Sequence, residues 1–186
     1  MSRIPLTSVE EHPEPVRQWM ARRGNLNVFR FLANAPHVFP GWTQMVDELF
    51  DSPTFSRRMR EVVILRVAHL QGSRYELGQH VAIARTVGLT EQQIDAILGT
   101  GDLDAANFSR TERTALDITT ELCTTHRLRD DSFAAAHAAF GDEALTELLM
   151  IISCYYGLAL VLNAADLDVD AAARFQPCSH ERQQRP

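Results

Sequence analysis

Apolar residues recur at three- and four-residue steps along most of the chain, the spacing that lines up one face of a helix. The run RRMREVVILRVAHLQ is the strongest case, with Val62, Leu65 and His69 on one row and Val63, Val67 and Leu70 on another. Gly72 interrupts it, and a second helical run, RYELGQHVAIARTV, follows up to Gly88. The same spacing predicts helices over residues 13–23, 27–35 and 37–50, and one opening at Thr90. Others run from Ser109 to about His126 and from Asp130 or Asp131 to Gly141, and a long apolar helix runs from Asp142 to Asn163. Three Ser/Thr-x-x-Glu/Gln patterns, Ser73/Glu76, Thr90/Gln93 and Ser109/Glu112, read as capping boxes. Residues 99–107 form a turn-rich linker, and the polar tail 175–186 reads as disordered. No segment alternates with a period of two and β-branched enrichment, so the predicted fold is all-α.

Composition narrows the function. The net charge of −6 over 186 residues argues against nucleic acid as the main partner. The longest apolar stretch, residues 148–165, is broken by Ser153, Cys154, two tyrosines and Asn163, which argues against a membrane partner. The first residues, MSRIPLTSVEEHPEP, lack the apolar core of a secretion signal, and a cytoplasmic location is the expectation. Cys123, Cys154 and Cys178 are odd in number and widely spaced, so no thioredoxin-type pair or cysteine zinc site is expected. All 18 basic residues are arginine. The absence of lysine excludes Schiff-base chemistry by this chain and a phosphate-loop lysine.

The chemistry concentrates between Glu61 and His80, where Glu61, Ser73, Glu76 and His80 stand at offsets 0, 12, 15 and 19. Glu76 and His80, four apart on one helix, share a face. A carboxylate beside an imidazole is the usual pairing for moving protons near neutral pH. Each residue also has a structural reading. Glu61 suits the positive end of a helix, Glu76 is equally the acid of a Ser73 capping box, and a histidine on an apolar helix is often a core residue. Ser73 lacks a nucleophile elbow, and Tyr75 suits either an interface or a hydrogen bond to substrate. A metal would take Glu76 and His80, with His69 or His126 as a third ligand, but no second ligand motif is present, so no metal is expected.

The stretch REVVILRVAHLQGSRYELGQHVAIARTVGLTEQQIDAI resembles the core of the carboxymuconolactone decarboxylase family, relatives of the AhpD-like alkylhydroperoxidases. NVFRFLANAP upstream, with TERTALDITTELCTTHRL and LTELLMIISCYYGLALVLNA downstream, resembles longer members of that family. The resemblance covers most of residues 26–166, leaving residues 1–25 as an extension. It implies an AhpD-like all-helical fold, a homo-oligomer (trimer or hexamer) and a site near subunit contacts. In the peroxidase branch the motif is Glu, Cys-x-x-Cys, His, and those positions fall here on Glu61, Ser73, Glu76 and His80. Both thiols are absent, and reduction of a peroxide through this motif needs both.

The resemblance then implies the decarboxylase branch: a lyase or isomerase without a cofactor, acting on a small-molecule lactone or keto/enol acid. His80 would be general acid/base, supported by Glu76 and Glu61, with Tyr75, Ser73, Arg66 and Arg74 as candidate substrate contacts. Phe29, Phe31, Phe39 and Trp42, ahead of the core, serve as ordinary core or roof a pocket for an apolar substrate. Two other expectations stand beside this one. One is a non-catalytic oligomeric ligand-binding module, and the other is residual redox chemistry through Cys123 or Cys154.

Overall fold

The computed structural model describes residues 2–170, and all its regular elements are helical: α1 (Glu14–Arg22), α2 (Asn27–Leu32), α3 (Phe39–Asp51), α4 (Arg57–Leu70), α5 (Arg74–Thr86), α6 (Glu91–Ile97), α7 (Arg110–Thr125) and α8 (Asp130–Ala165). No strand occurs among the described residues. Cys178 and the tail 175–186 lie outside them.

Helix α4 is the axis of the fold. Ten consecutive residues, Met59 to Ala68, are buried, so α4 is enclosed on every side. Val63, Ile64 and Val67 pack toward Ile118, Leu148 and Ile152 of α7 and α8, while Val62 and Leu65 meet Ala84, Ile94 and Ile97 of α5 and α6. Such burial also traps three charged side chains, Arg60, Glu61 and Arg66, each of which needs a partner to offset its lost hydration.

Helix starts follow local chemistry. Ser56 accepts from the Met59 N–H, and the capping boxes at Thr90/Gln93 and Ser109/Glu112 both form. The one expected at Ser73/Glu76 does not. The Ser73 N–H that Glu76 would bind already donates to Ala68 O at 2.9 Å, closing the hinge at Gly72, so Glu76 is released from capping. Asp130 and Asp131 do not cap either. They lie in the first turn of α8, whose N-cap is Arg129.

Gly141 interrupts α8 with φ of 71°, a left-handed conformation that glycine adopts at no steric cost. Beyond it, α8 is long and apolar enough to cross a bilayer by length and composition, despite its polar interruptions. One face of it, through Leu145, Leu148, Ile151, Tyr155, Ala159 and Leu162, is buried in the fold. Ahead of the core, α1–α3 gather Trp19, Phe29, Phe39 and Trp42 into one aromatic cluster, and Trp19 Nε1 donates to Asp47.

Candidate functional site

The turn at Gly72 folds α5 back along α4, which brings together residues nineteen apart. His80 Nδ1 donates to Glu61 Oε2 at 2.8 Å, with side-chain exposures of 12% and 3%. Tyr155 of α8 meets the His80 ring edge-on, centroids 5.3 Å apart, and so fixes the ring plane from the other side. Burial disfavours the charged imidazole, but the charge and hydrogen bond of Glu61, with the charge of Glu76, outweigh it and hold His80 above its ordinary pKa.

Glu76 lies one turn before His80 on the inward face of α5, 2% exposed. Neither carboxylate oxygen has a hydrogen-bond partner among the described residues. Burial raises its pKa to about 7, with the Ser73 hydroxyl and the His80 charge pulling the other way. Two carboxyl groups thus flank one imidazole in different states: one is bonded to the ring, the other is dry and near half-protonation at neutral pH.

These groups open into a cavity of about 410 Å³, within the range of small-molecule sites. Glu61, Glu76, His80, Tyr155, Gln79 and Tyr75 are among its polar groups, with Arg23, Asp51, Arg57 and Arg60 also on the lining. Leu26, Phe29, Trp42, Phe50, Ile83 and Leu158 supply much of the apolar wall. Phe29 and Trp42 thus do roof a pocket, whereas Phe31 and Phe39 are core residues. A larger but open groove of about 860 Å³ runs between α3 and α8 beside Met45 and Met150, and contains none of the dyad.

Four of the seven residues singled out from sequence line the cavity: Glu61, Glu76, His80 and Tyr75. The Tyr75 hydroxyl is committed to the fold, accepting from the Val28 N–H at 3.1 Å and donating to Asp170. Ser73, Arg66 and Arg74 do not line it. Ser73 is wholly buried at the hinge. Arg66 faces the opposite side of α4, donating to Ile97 O at 2.8 Å and Thr120 Oγ1 at 2.9 Å. Arg74 is exposed at the start of α5. Helical phase turns Arg66 and Arg74 away from Glu61 and His80, so neither reaches this cavity.

Sequence reasoning missed Arg60 and Tyr155, which line the cavity, and did not place Cys154 there. Arg60 carried a signal, being a charge inside an apolar run next to Glu61. Tyr155 carried a fainter one, a polar-headed ring in an aliphatic helix. Burial pushes both described thiols, Cys123 and Cys154, up to about 11, and a thiol so raised is a poor nucleophile at neutral pH. No group of three His, Cys, Asp or Glu is placed to hold a metal among the described residues. His69 and His126 do not join Glu76 and His80.

Comparison with known proteins agrees with this architecture. The family model described as carboxymuconolactone decarboxylase matches residues 36–121. An uncharacterized protein of Bacillus subtilis, YdfG, is 26% identical over 102 residues, covering 54% of this chain and 68% of that one. Among solved structures, a peroxidase-related protein of Ralstonia eutropha with an alkylhydroperoxidase AhpD core superposes with a TM-score of 0.80. It is 20% identical, over 91% of this chain and 93% of its own. A variant of the debrominase Bmp8 in complex with 2,3,4-tribromopyrrole gives a TM-score of 0.78 at 17% identity, over 94% of this chain and 96% of its own.

Proposed function

The chain belongs to the carboxymuconolactone decarboxylase family, with its AhpD-like helical fold, and we propose that it is a thiol-independent lyase or isomerase. It moves a proton on a small lactone or keto/enol acid, with His80 as general acid/base and no cofactor. The observation that carries this reading is the buried Glu61–His80 pair, 2.8 Å apart, opening on an apolar cavity.

The steps follow from the geometry. Glu61 holds Nδ1, leaving Nε2 as the nitrogen that exchanges a proton with substrate. The protonated ring, stabilised by Glu61, delivers that proton to a carbanion or enolate centre, and the low-polarity walls strengthen the attraction between imidazolium and developing negative charge. Glu76, ionising near 7, takes up or returns a proton in the same pH range without leaving a second full charge in the site.

The peroxidase-related protein and the debrominase among the structural neighbours raise an oxidoreductase reading. Ser73 and Glu76 at the two thiol positions of the peroxidase motif, and a Cys154 thiol raised to about 11, weigh against it. As part of the same proposal, the chain works in the cytoplasm as a homo-oligomer. Met150, Leu160 and Val161, exposed along α8, offer an apolar contact face.

Proton–deuteron exchange into a panel of lactones and keto acids, followed by NMR in heavy water, tests the chemistry. Wild type should exchange the acidic C–H of at least one compound, and His80→Gln should lose that exchange while keeping its helical content. Exchange that persists in His80→Gln would refute the assignment.

A further inference from the structure

Of the three charges buried in α4, two have full partners. Glu61 holds His80, and Arg66 is bonded to Ile97 O and Thr120. Arg60 is different. It is 5% exposed, and its Nη1 donates to Ser52 O at 3.1 Å and reaches Leu49 O at 3.5 Å. Its guanidinium stands 5.7 Å over the Phe50 ring. The Nε atom is buried with no hydrogen-bond partner, and no carboxylate among the described residues forms an ion pair with the side chain. Glu147, Glu61 and Asp51 reach it only through longer-range attraction. The carbonyls ending α3 supply some negative potential, but they meet only the Nη1 side.

A guanidinium buried with an unmet edge leaves its lost hydration unrepaid unless an anion completes it. Arg60 lines the same cavity as His80 and immediately precedes Glu61 in the chain. The neighbouring charges limit what that anion can be. Two other arginines lie on the lining: Arg23 is already paired with Asp47 and Arg57 is exposed to solvent, while Glu61, Glu76 and Asp51 repel a second negative group. Most of the remaining wall is apolar.

The geometry points to Arg60 as the anchor for one substrate carboxylate, which makes the substrate an apolar monocarboxylic acid and not a polycarboxylate. The planar fork of arginine suits a carboxylate through two parallel N–H bonds. Docked there, the acid places its apolar body against Trp42 and Phe29 and presents a carbon to His80. The inference rests on reading this cavity as the substrate site.

Binding of 2-naphthoate, its uncharged analogue 2-naphthalenemethanol, and citrate, measured by calorimetry on the full chain, tests it separately from turnover. Wild type should bind the naphthoate about 10- to 100-fold more tightly than the alcohol, the worth of a hydrogen-bonded charge, and more tightly than citrate. Arg60→Met should reduce the acid-to-alcohol ratio to about one, whereas His80→Gln should keep it. Equal wild-type affinity for acid and alcohol would overturn the anchor, as would an unchanged ratio in Arg60→Met or a preference for citrate. The wild-type comparison decides the question alone if Arg60→Met does not fold. Lost proton exchange with intact Arg60-dependent binding would overturn the catalytic reading and leave the anchor standing.

Discussion

Replacing Glu76 by glutamine should make the protein more stable relative to wild type as pH rises, and only between about pH 4.5 and 7. The carboxyl ionises near 7 in the folded protein against an ordinary value of 4.5. The folded state therefore binds its proton more tightly than the unfolded chain does, and stability falls with rising pH through that window. At about 1.4 kcal/mol per pH unit over about 2.5 units the loss approaches about 3.5 kcal/mol above pH 7. Glutamine has nearly the same shape and no charge, so it removes this slope. A buried amide without partners carries its own penalty of about 1–3 kcal/mol, but that penalty does not change with pH. The diagnostic quantity is thus the change in the wild-type-to-variant difference between pH 5 and pH 8. His80, whose pKa is held above its ordinary 6.5, also favours the folded state at low pH, and the variant retains most of that dependence. Urea unfolding at half-unit pH steps reads the difference directly, with a melting-temperature equivalent of about 6–12 °C for a chain this size. Parallel wild-type and variant curves from pH 5 to 8 would refute the claim that Glu76 is an unpartnered buried acid.

Three further outcomes follow from the geometry. Tyr75→Phe removes the acceptor of the Val28 N–H and the donor to Asp170, and should cost about 1–3 kcal/mol in chemical denaturation. No loss would mean that the hydroxyl is free for substrate. Arg66→Met should destabilise by a similar amount, because it strands Ile97 O and Thr120, yet leave KM for any turned-over acid unchanged. A raised KM in a folded variant would restore Arg66 as a substrate contact. Leu160→Glu, on the exposed face of α8, should shift the protein toward monomer in sedimentation velocity, and an unchanged assembly would move the subunit contact elsewhere.

The all-helical architecture was legible from periodicity, and the capping boxes at Thr90 and Ser109 from local spacing, since both depend on residues within a turn or two. The Glu61–His80 pair was legible only as spacing, and it needed the fold-back at Gly72 to become a contact. The Ser73 box was misread because its sequence signature is silent about Ala68 O taking the donor first. Which arginine reaches the cavity was illegible for a similar reason. Arg60, Arg66 and Arg74 look alike in a string, but helical phase sends Arg66 toward α6 and α7 and leaves Arg74 in solvent, while Arg60 reaches the cavity. Tyr155 comes from a helix far along the chain, which no local pattern could align with His80.

Asp170 ties two elements together beside the cavity. Its carboxylate accepts from the Asn27 N–H, the Tyr75 hydroxyl and Gln79 Nε2, and the neighbouring Val169 lies so close over Gly78 that a Cβ there would stand 2.9 Å from it. One carboxylate beyond the last helix therefore latches α2, the lip of the cavity, onto α5, which carries His80. The latch shares no residue with the Glu61–His80 pair. The tie between α2 and α5 can be weakened, by a substitution at 170 or a side chain at 78, without touching Glu61 or His80. A substitution at either position is expected to loosen α2 from α5 while leaving the Glu61–His80 contact in place.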